Sequence, residues 1–255
     1  MSDLFDLSGK VAVVTGGSRG MGREMILAFA QHGADVVIAS RKFDACEELA
    51  EEVRDTTGRQ ALPVACHVGY WDQCDALCDT VYDEFGRCDV LVNNAGLSPL
   101  YPSLYEVSEE LYSKVMDVNL KGPFRLSAVF GKRMFDSDGG SIINVSSVAA
   151  VEPTPKETAY GAAKAGVHAI TKSFAREYGP KVRVNCIMPG PFLTDISKAW
   201  DMDVFNARAE TEIALQRGGE ADEIVGAALY FASAASSYTT GAILKVDGGA
   251  GWAAG

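Results

Sequence analysis

The chain has 255 residues, 47% of them hydrophobic and 22% charged, with a formal net charge of −11 at pH 7. That length and balance suit a globular α/β protein with a substantial core, and no apolar run approaches the roughly 18 residues that would mark a membrane span. The acidic excess argues against a general nucleic-acid or anionic-membrane binder.

No apolar leader precedes Lys10, so a cytoplasmic location is expected. Residues 11–15 are a short apolar, β-branched run, which suits a buried parallel strand. They lead into Gly16-Gly17-Ser18-Arg19-Gly20-Met21-Gly22. A helical pattern follows, with Met25, Ile26 and Phe29 on one face and Gly33 as its stop. Residues 35–40 read as the returning strand of a βαβ unit. The glycines let the backbone turn tightly and approach a ligand, while the helix N-terminus presents unpaired N–H groups to a diphosphate.

The alternation continues with a helix over 43–56, a strand over 61–66 and a helix over 72–85. A strand over 89–92 then ends in Asn93-Asn94-Ala95-Gly96. A long helix is expected over 108–135, with Ser108 as N-cap and Glu109 and Glu110 in its first turn. A strand over 141–145 leads to Ser147. The helix carrying Tyr160 ends near Gly179, and a strand over 182–187 meets Pro189-Gly190-Pro191. After a looser stretch to Arg217 come a helix over 221–232 and a last strand over 242–246. Seven strands alternating with helices predict a single α/β domain over 1–255, a Rossmann-like, doubly wound parallel sheet. Ligands bind beyond the carboxyl ends of such strands, where Gly16, Asn93, Ser147 and Pro189 all fall.

Tyr160-Gly161-Ala162-Ala163-Lys164 lies in an alanine-rich helical stretch, thirteen residues after Ser147. Residues four apart share a helix face. An ammonium about 5 Å from the phenol, at an effective dielectric of ~20, is worth roughly 3 kcal/mol, or about two pK units. That predicts a tyrosine lowered from ~10 toward ~8, suited to proton transfer near neutrality. A tyrosine packed beside a solvated lysine would read the same, so the weight of the motif comes from its agreement with distant stretches. Pro123 lacks an N–H and lies four residues after Asn119. The Asn119 carbonyl is therefore expected to lose its helical donor and become free for a water; an ordinary helix break is the alternative. Cys46, Cys66, Cys74, Cys78, Cys88 and Cys186 form no C-x-x-C pair and are expected to be free, mostly buried thiols, with no metal site.

Thr15-Gly16-x-x-x-Gly20-x-Gly22, Asn93-Asn94-Ala95-Gly96, Asn119, Ser147, Tyr160-x-x-x-Lys164, Asn185, Pro189-Gly190 and Asp247-Gly248-Gly249 occur here in one order and spacing. On these, essentially the whole chain resembles the short-chain dehydrogenases/reductases. The resemblance implies an NAD(P)-dependent oxidoreductase that interconverts a carbonyl and a secondary alcohol by hydride transfer. It implies that Tyr160 exchanges a proton with the substrate oxygen and that Ser147 hydrogen-bonds that oxygen. Lys164 lowers the tyrosine pKa and binds the nicotinamide ribose, and Asn119 supports a water connecting Lys164 to solvent. For the cofactor it implies Gly16, Ser18, Arg19, Gly20, Met21 and Gly22 in the glycine turn. Ala95 and Gly96 follow the fourth strand, Tyr160 and Lys164 serve again, and Pro189 and Gly190 follow the sixth. Thr194 matches a residue that touches the carboxamide, or else caps the next helix. Val68 and Asn94 match positions around the adenine. His67 stands where the family often has an acid that holds the adenine amine, and reads as an exposed strand-end residue. His32 and His168 read as ordinary helix residues.

A dinucleotide site selective for NAD usually ends its second strand in Asp or Glu, which accepts from the ribose 2′-hydroxyl. Here Ser40 holds that place, followed by Arg41 and Lys42, with Arg19 in the glycine turn. NADP(H) is therefore favoured over NAD(H), against the reading of solvated surface charges. Residues 191–217 match a substrate lid, and Phe192, Trp200, Met202 and Phe205 form either a pocket wall or lid-to-body packing. The acids Asp195, Asp201, Asp203, Glu210 and Glu212 argue against a strongly anionic substrate. Asp136 and Asp138 weigh against a 3-oxoacyl-carrier-protein reductase, although Lys132, Arg133 and Lys181 lie near. A non-catalytic NAD(P)-binding regulator and a methyltransferase are further alternatives. The intact Asn119, Ser147, Tyr160 and Lys164 count against the first, and the Y-x-x-x-K and Asp-Gly-Gly motifs against the second. The long helix and the apolar carboxyl-terminal strand, with Trp252 beyond it, suggest a homotetramer, with a dimer next.

Overall fold

The computed structural model describes residues 4–194, 197 and 200–250. The strands are β1 (Val11–Thr15), β2 (Asp35–Ser40), β3 (Ala61–Ala65), β4 (Val90–Asn93), β5 (Gly140–Val145), β6 (Val182–Pro189), β7 (Phe192–Leu193), β8 (Gly219–Glu220) and β9 (Ile243–Val246). The expected parallel sheet of seven strands is present, in the order β3-β2-β1-β4-β5-β6-β9, while β7 and β8 pair separately. The strand order reverses between β1 and β4, and a crevice opens there at the carboxyl ends of the strands.

The helices are α1 (Gly20–Gln31), α2 (Phe43–Thr57), α3 (Trp71–Phe85), α4 (Glu109–Met116), α5 (Gly122–Asp136), α6 (Thr158–Glu177), α7 (Met202–Glu212) and α8 (Val225–Ala232). Alternation along the strands divides the core into two layers. Ala12 and Val14 of β1 pack with Met25, Ile26 and Phe29 of α1, Leu49 of α2 and Phe231 of α8. Val11 and Val13 point the other way, to Leu77 of α3, Phe130 of α5 and Phe174 of α6. Apolar residues on both faces of short strands are what a sheet covered by helices on both sides requires.

Two expectations need correction. The long helix is interrupted: α4 and α5 are joined by a π-helical turn over Asp117–Lys121, where the Gly122 N–H donates to the Asp117 carbonyl. Pro123 cannot donate to the carbonyl four residues back. The chain answers with a wider turn rather than a break, and Asn119 sits inside it. Ser108 does cap α4, its side chain accepting from the Leu111 N–H at 3.1 Å. The stretch before Arg217 is also more regular than expected, since α7 lies within it. Phe192 is buried in the main core, and Trp200 packs on Phe205 with ring centroids 5.2 Å apart. These three therefore pack residues 191–217 to the body and to one another, whereas Met202 remains partly exposed.

Candidate active site

The site begins where β1 and β4 end side by side. The buried Thr15 hydroxyl donates to the Val92 carbonyl at 3.2 Å and accepts from the N–H groups of Asn94 and Ala95 at 3.1 and 3.2 Å. Asn94 returns the link, its Nδ2 donating to the carbonyls of Thr15 at 2.9 Å and Gly16 at 3.2 Å. Its amide is thus spent on joining the two strand ends, a brace for the glycine turn. A Cβ on Gly22 would lie 2.2 Å from the Gly16 oxygen, so only glycine lets α1 start this close to the turn. Gly20 faces Thr194 across the crevice, its would-be Cβ 3.5 Å from the threonine side chain. Met21 packs against the core.

At the end of β2, Ser40 accepts from the Ser18 hydroxyl at 3.0 Å, which joins that strand end to the glycine turn. Arg19, Arg41 and Lys42 are exposed, and none has an ion pair among the described residues. After β3, His67 is half-buried rather than exposed. Its ring lies 4.7 Å from that of Tyr70, and its Nδ1 accepts from the Gly69 N–H at 3.1 Å, which assigns the proton to Nε2. Val68 is buried under Gly122, where a Cβ would come within 2.6 Å of its carbonyl oxygen. At the end of β6, Gly190 donates to the Val246 carbonyl at 3.0 Å and passes close under Asp247. Thr194 forms a turn with Ser197 and does not cap α7; Asp201 does, accepting from the Val204 N–H at 3.1 Å.

Asn119, Ser147, Tyr160 and Lys164 converge above β4 and β5. Asn119 is fully buried. Its Nδ2 donates to the carbonyls of Leu97 at 2.8 Å and Val115 at 2.9 Å, and its Oδ1 accepts from the Leu97 N–H at 3.2 Å. The side chain thereby clamps the loop after β4 to the π turn. A Cβ on Gly96 would stand 3.0 Å from Asn119 Oδ1 and 3.6 Å from Lys164 Nζ, so that glycine lines the same space. Lys164 is only 3% exposed, donates to the Val145 carbonyl at 2.8 Å, and has its Nζ 5.7 Å from the centroid of the Tyr160 ring.

The electrostatics differ from the expected pairing. Burial pushes the Tyr160 hydroxyl up to about 12; a hydrogen bond with Ser147 acts in the opposite direction, and Glu157 adds to the rise. Burial likewise pushes Lys164 down to about 8, with the Cys186 thiol acting against the fall. The lowering of Tyr160 toward 8 is therefore absent, because desolvation dominates at the hydroxyl and the Lys164 ammonium is not among the influences on it. Spacing on a helix predicts neighbours but not how deeply they are buried.

The six cysteines are free and buried, and burial raises the thiols of Cys66, Cys74 and Cys186 to about 11, 12 and 12. His32 binds the Ala28 carbonyl at the end of α1, and His168 Nε2 is buried with no hydrogen-bond partner among the described residues. Leu97 and Val145 organise the site through main-chain groups, which leave no signature in a sequence motif, whereas Thr15, which opens the glycine motif, does so through its hydroxyl. Asp195 and Trp252 lie outside the described residues. Among the described residues no helix is long and apolar enough to cross a membrane.

A family profile described as enoyl-(acyl carrier protein) reductase matches residues 16–251. The chain is 38% identical over 244 residues to the 3-oxoacyl-[acyl-carrier-protein] reductase FabG of Chlamydia muridarum (strain MoPn / Nigg), covering 95% of this chain and 98% of that one. A short-chain type dehydrogenase/reductase from Mycobacterium marinum superposes with a TM-score of 0.91 at 36% identity, over 97% of this chain and 98% of that one. An NADPH-dependent 3-quinuclidinone reductase from Rhodotorula rubra does so with a TM-score of 0.92 at 30% identity, over 97% and 93%. Likeness of this extent, in sequence and backbone alike, places the chain in the short-chain dehydrogenase/reductase family, as an NAD(P)-dependent oxidoreductase acting on CH–OH groups.

Proposed function

We propose that the protein is an NADP(H)-dependent oxidoreductase that interconverts a ketone and a secondary alcohol, with Tyr160 as general acid and base. The observation that carries this reading is the convergence of Ser147, Tyr160 and Lys164, the lysine lying one turn further along α6 with its Nζ 5.7 Å from the centroid of the tyrosine ring. The residues fit a nicotinamide dinucleotide. Lys164 Nζ is buried yet makes one hydrogen bond among the described residues, which leaves two of its three donors for ribose hydroxyls. Arg19 and Arg41, unpaired beside the Ser18–Ser40 link, suit a 2′-phosphate, which Arg can grip with two N–H groups. Gly16, Gly20, Gly22, Ala95, Gly96, Pro189, Gly190 and Thr194 line the crevice between these two ends, and His67, Val68 and Asn94 border its adenine side.

When bound, the cofactor supplies the hydride donor or acceptor. Tyr160 gives its proton to the substrate oxygen during reduction and takes it back during oxidation. Ser147 holds the same oxygen by a hydrogen bond, and preorganised donors there favour the developing negative charge. Lys164 steadies the phenolate left behind. The Asn119 carbonyl holds a water that returns a proton from solvent through Lys164. With Tyr160 pushed up to about 12, the acid form is the resting one near neutrality, which suits carbonyl reduction.

A 3-oxoacyl-carrier-protein reductase is the second reading, favoured by the 38% identity to the Chlamydia muridarum enzyme. Against it, the nearby basic residues are already engaged. Lys132 pairs with Asp136, Arg133 with Asp79, and Lys181 donates to the Ser137 carbonyl at 3.0 Å. Purified protein with NADPH or NADH, offered a panel of ketones, diketones and a 3-oxoacyl thioester, tests both readings. NADPH oxidation with ketones is expected, and no turnover with any of them would overturn the proposal.

The same reading includes a cytoplasmic, single-domain protein with a lid over residues 191–217, acting as a homotetramer. Association is supported by apolar side chains left partly exposed on two regions. They are Trp71 and Phe124 on α3 and α5, and Leu244 on the edge strand β9.

A further inference from the structure

Glu157, just before α6, is an acidic group beside the site that the proton-transfer scheme does not use. It precedes Tyr160 by three residues and is half-buried. Its carboxylate accepts from the Ser98 hydroxyl at 3.4 Å, on the loop after β4, and from the Thr154 hydroxyl at 3.3 Å. The same loop is fastened a second time through Tyr101, whose hydroxyl accepts from the Ala159 N–H at 3.3 Å. The side chain is therefore fixed between the loop after β4 and the turn that leads into α6. It has no ion pair among the described residues, and neighbouring Lys156 is exposed.

A carboxylate accepts at about four lone-pair positions, and these two hydroxyls occupy half of them. What remains is a negative charge without an ion pair among the described residues, held three residues before Tyr160 and against Ser98, two residues after the Gly96 that lines the site. That the charge is felt there is seen in Tyr160 itself, where Glu157 adds to the effect of burial. The other titratable groups around Tyr160 are Lys164 one turn on along α6, the Cys186 thiol of β6 acting on Lys164, and His168 a further turn on. Lys164 Nζ is tied to the Val145 carbonyl, and of the two charges it is that of Glu157 that is felt at the Tyr160 hydroxyl.

We infer that Glu157 is a specificity-determining residue that admits uncharged carbonyl substrates to Tyr160 and rejects those with a carboxylate close to the carbonyl. A substrate whose carbonyl oxygen reaches Tyr160 brings a nearby carboxylate within a few ångströms of the Glu157 oxygens, where two like charges repel in partly desolvated surroundings. An ester or thioester of the same acid carries no such charge and enters freely. The inference rests on the assignment of Tyr160 as the proton donor.

The test compares kcat/KM with NADPH for ethyl acetoacetate and acetoacetate, in the wild type and in Glu157→Gln. In Gln the amide oxygen accepts from one of the two hydroxyls and the NH2 group donates to the other, so the loop stays fastened while the charge is lost. Acetoacetate turnover should rise on the order of 10-fold, with the ester changed by less than about 2-fold. Glu157→Asp keeps the charge and should retain the wild-type preference for the ester. A merely structural role would shift both substrates together in either variant, and an unchanged ester-to-acid ratio in Glu157→Gln would overturn the inference alone. If the wild type reduced neither compound nor any other ketone, the assignment of Tyr160 would fall, and the inference with it.

Discussion

Lys164 is tied to Val145: its Nζ donates to that carbonyl oxygen at 2.8 Å, so the last residue of β5 holds the ammonium in place two residues before Ser147. The anchor keeps the amine under the site rather than in solvent. It also makes the lysine pay a desolvation cost, which is why burial pushes it down to about 8 from its ordinary 10.5.

That cost has a signature in stability. The folded chain gives up the Lys164 proton near pH 8, while the unfolded chain keeps it to about 10.5. Between those values the unfolded state binds more protons, so this group makes stability rise with pH; below about 8 the full penalty stands. In Lys164→Met the rise should vanish. The wild-type unfolding free energy minus that of the variant should increase by roughly 2–3 kcal/mol across the window. Urea denaturation of both proteins from pH 7 to 10.5 measures it, with Cys186→Ala in both backgrounds, because that thiol is coupled to Lys164 whereas the other buried thiols cancel in the difference. A flat difference would refute the burial argument.

Tyr160→Phe removes the exchangeable proton and little else. Turnover should fall more than 10-fold, a general acid being worth about 10²–10⁴-fold, while cofactor affinity stays nearly unchanged. Lys164→Ala should lower both. Steady-state kinetics with cofactor titration by fluorescence separates the two effects, and retention of more than about a tenth of turnover in Tyr160→Phe would exclude the assigned role.

The unpaired Arg41 predicts a preference for NADPH. One charge-assisted contact is worth about 1.5–3 kcal/mol, so kcat/KM should favour NADPH over NADH by about 10- to 150-fold. Since Arg19 and Arg41 are exposed, the ratio should shrink as salt rises. Arg41→Asp should invert it by replacing attraction with repulsion. A wild type that prefers NADH would show that Ser40, Arg41 and Lys42 do not read the phosphate.

Gly22→Ala places a methyl 2.2 Å from a backbone oxygen that Asn94 also holds, so neither side can yield cheaply. Overpacking of this kind costs typically 1–3 kcal/mol, and the displaced start of α1 should weaken cofactor binding more than it weakens folding. Thermal unfolding with and without NADPH reads both; a variant stabilised by NADPH as strongly as the wild type would contradict the placement.

Association through the exposed apolar faces predicts a particle of four 27.1 kDa chains in light scattering at micromolar concentration. A mass of about 27 kDa there would reject both the tetramer and the dimer.

The sequence by itself determined the βαβ alternation, the glycine turn and the helix that carries Tyr160 and Lys164. Each rests on a local period of two or 3.6 residues, or on a backbone conformation that glycine alone allows. Tertiary structure decided what depends on residues far apart in the chain. Asn94 braces Gly16 because the sheet order sets β4 beside β1, and Asn119 clamps Leu97 because the π turn at Pro123 aims it there. Glu157 meets Ser98 across the mouth of the site for the same kind of reason, 59 residues apart. The protonation of the Tyr160–Lys164 pair was the clearest divergence. Helical spacing sets how near two charges lie, whereas only the packed fold decides how much water each of them loses.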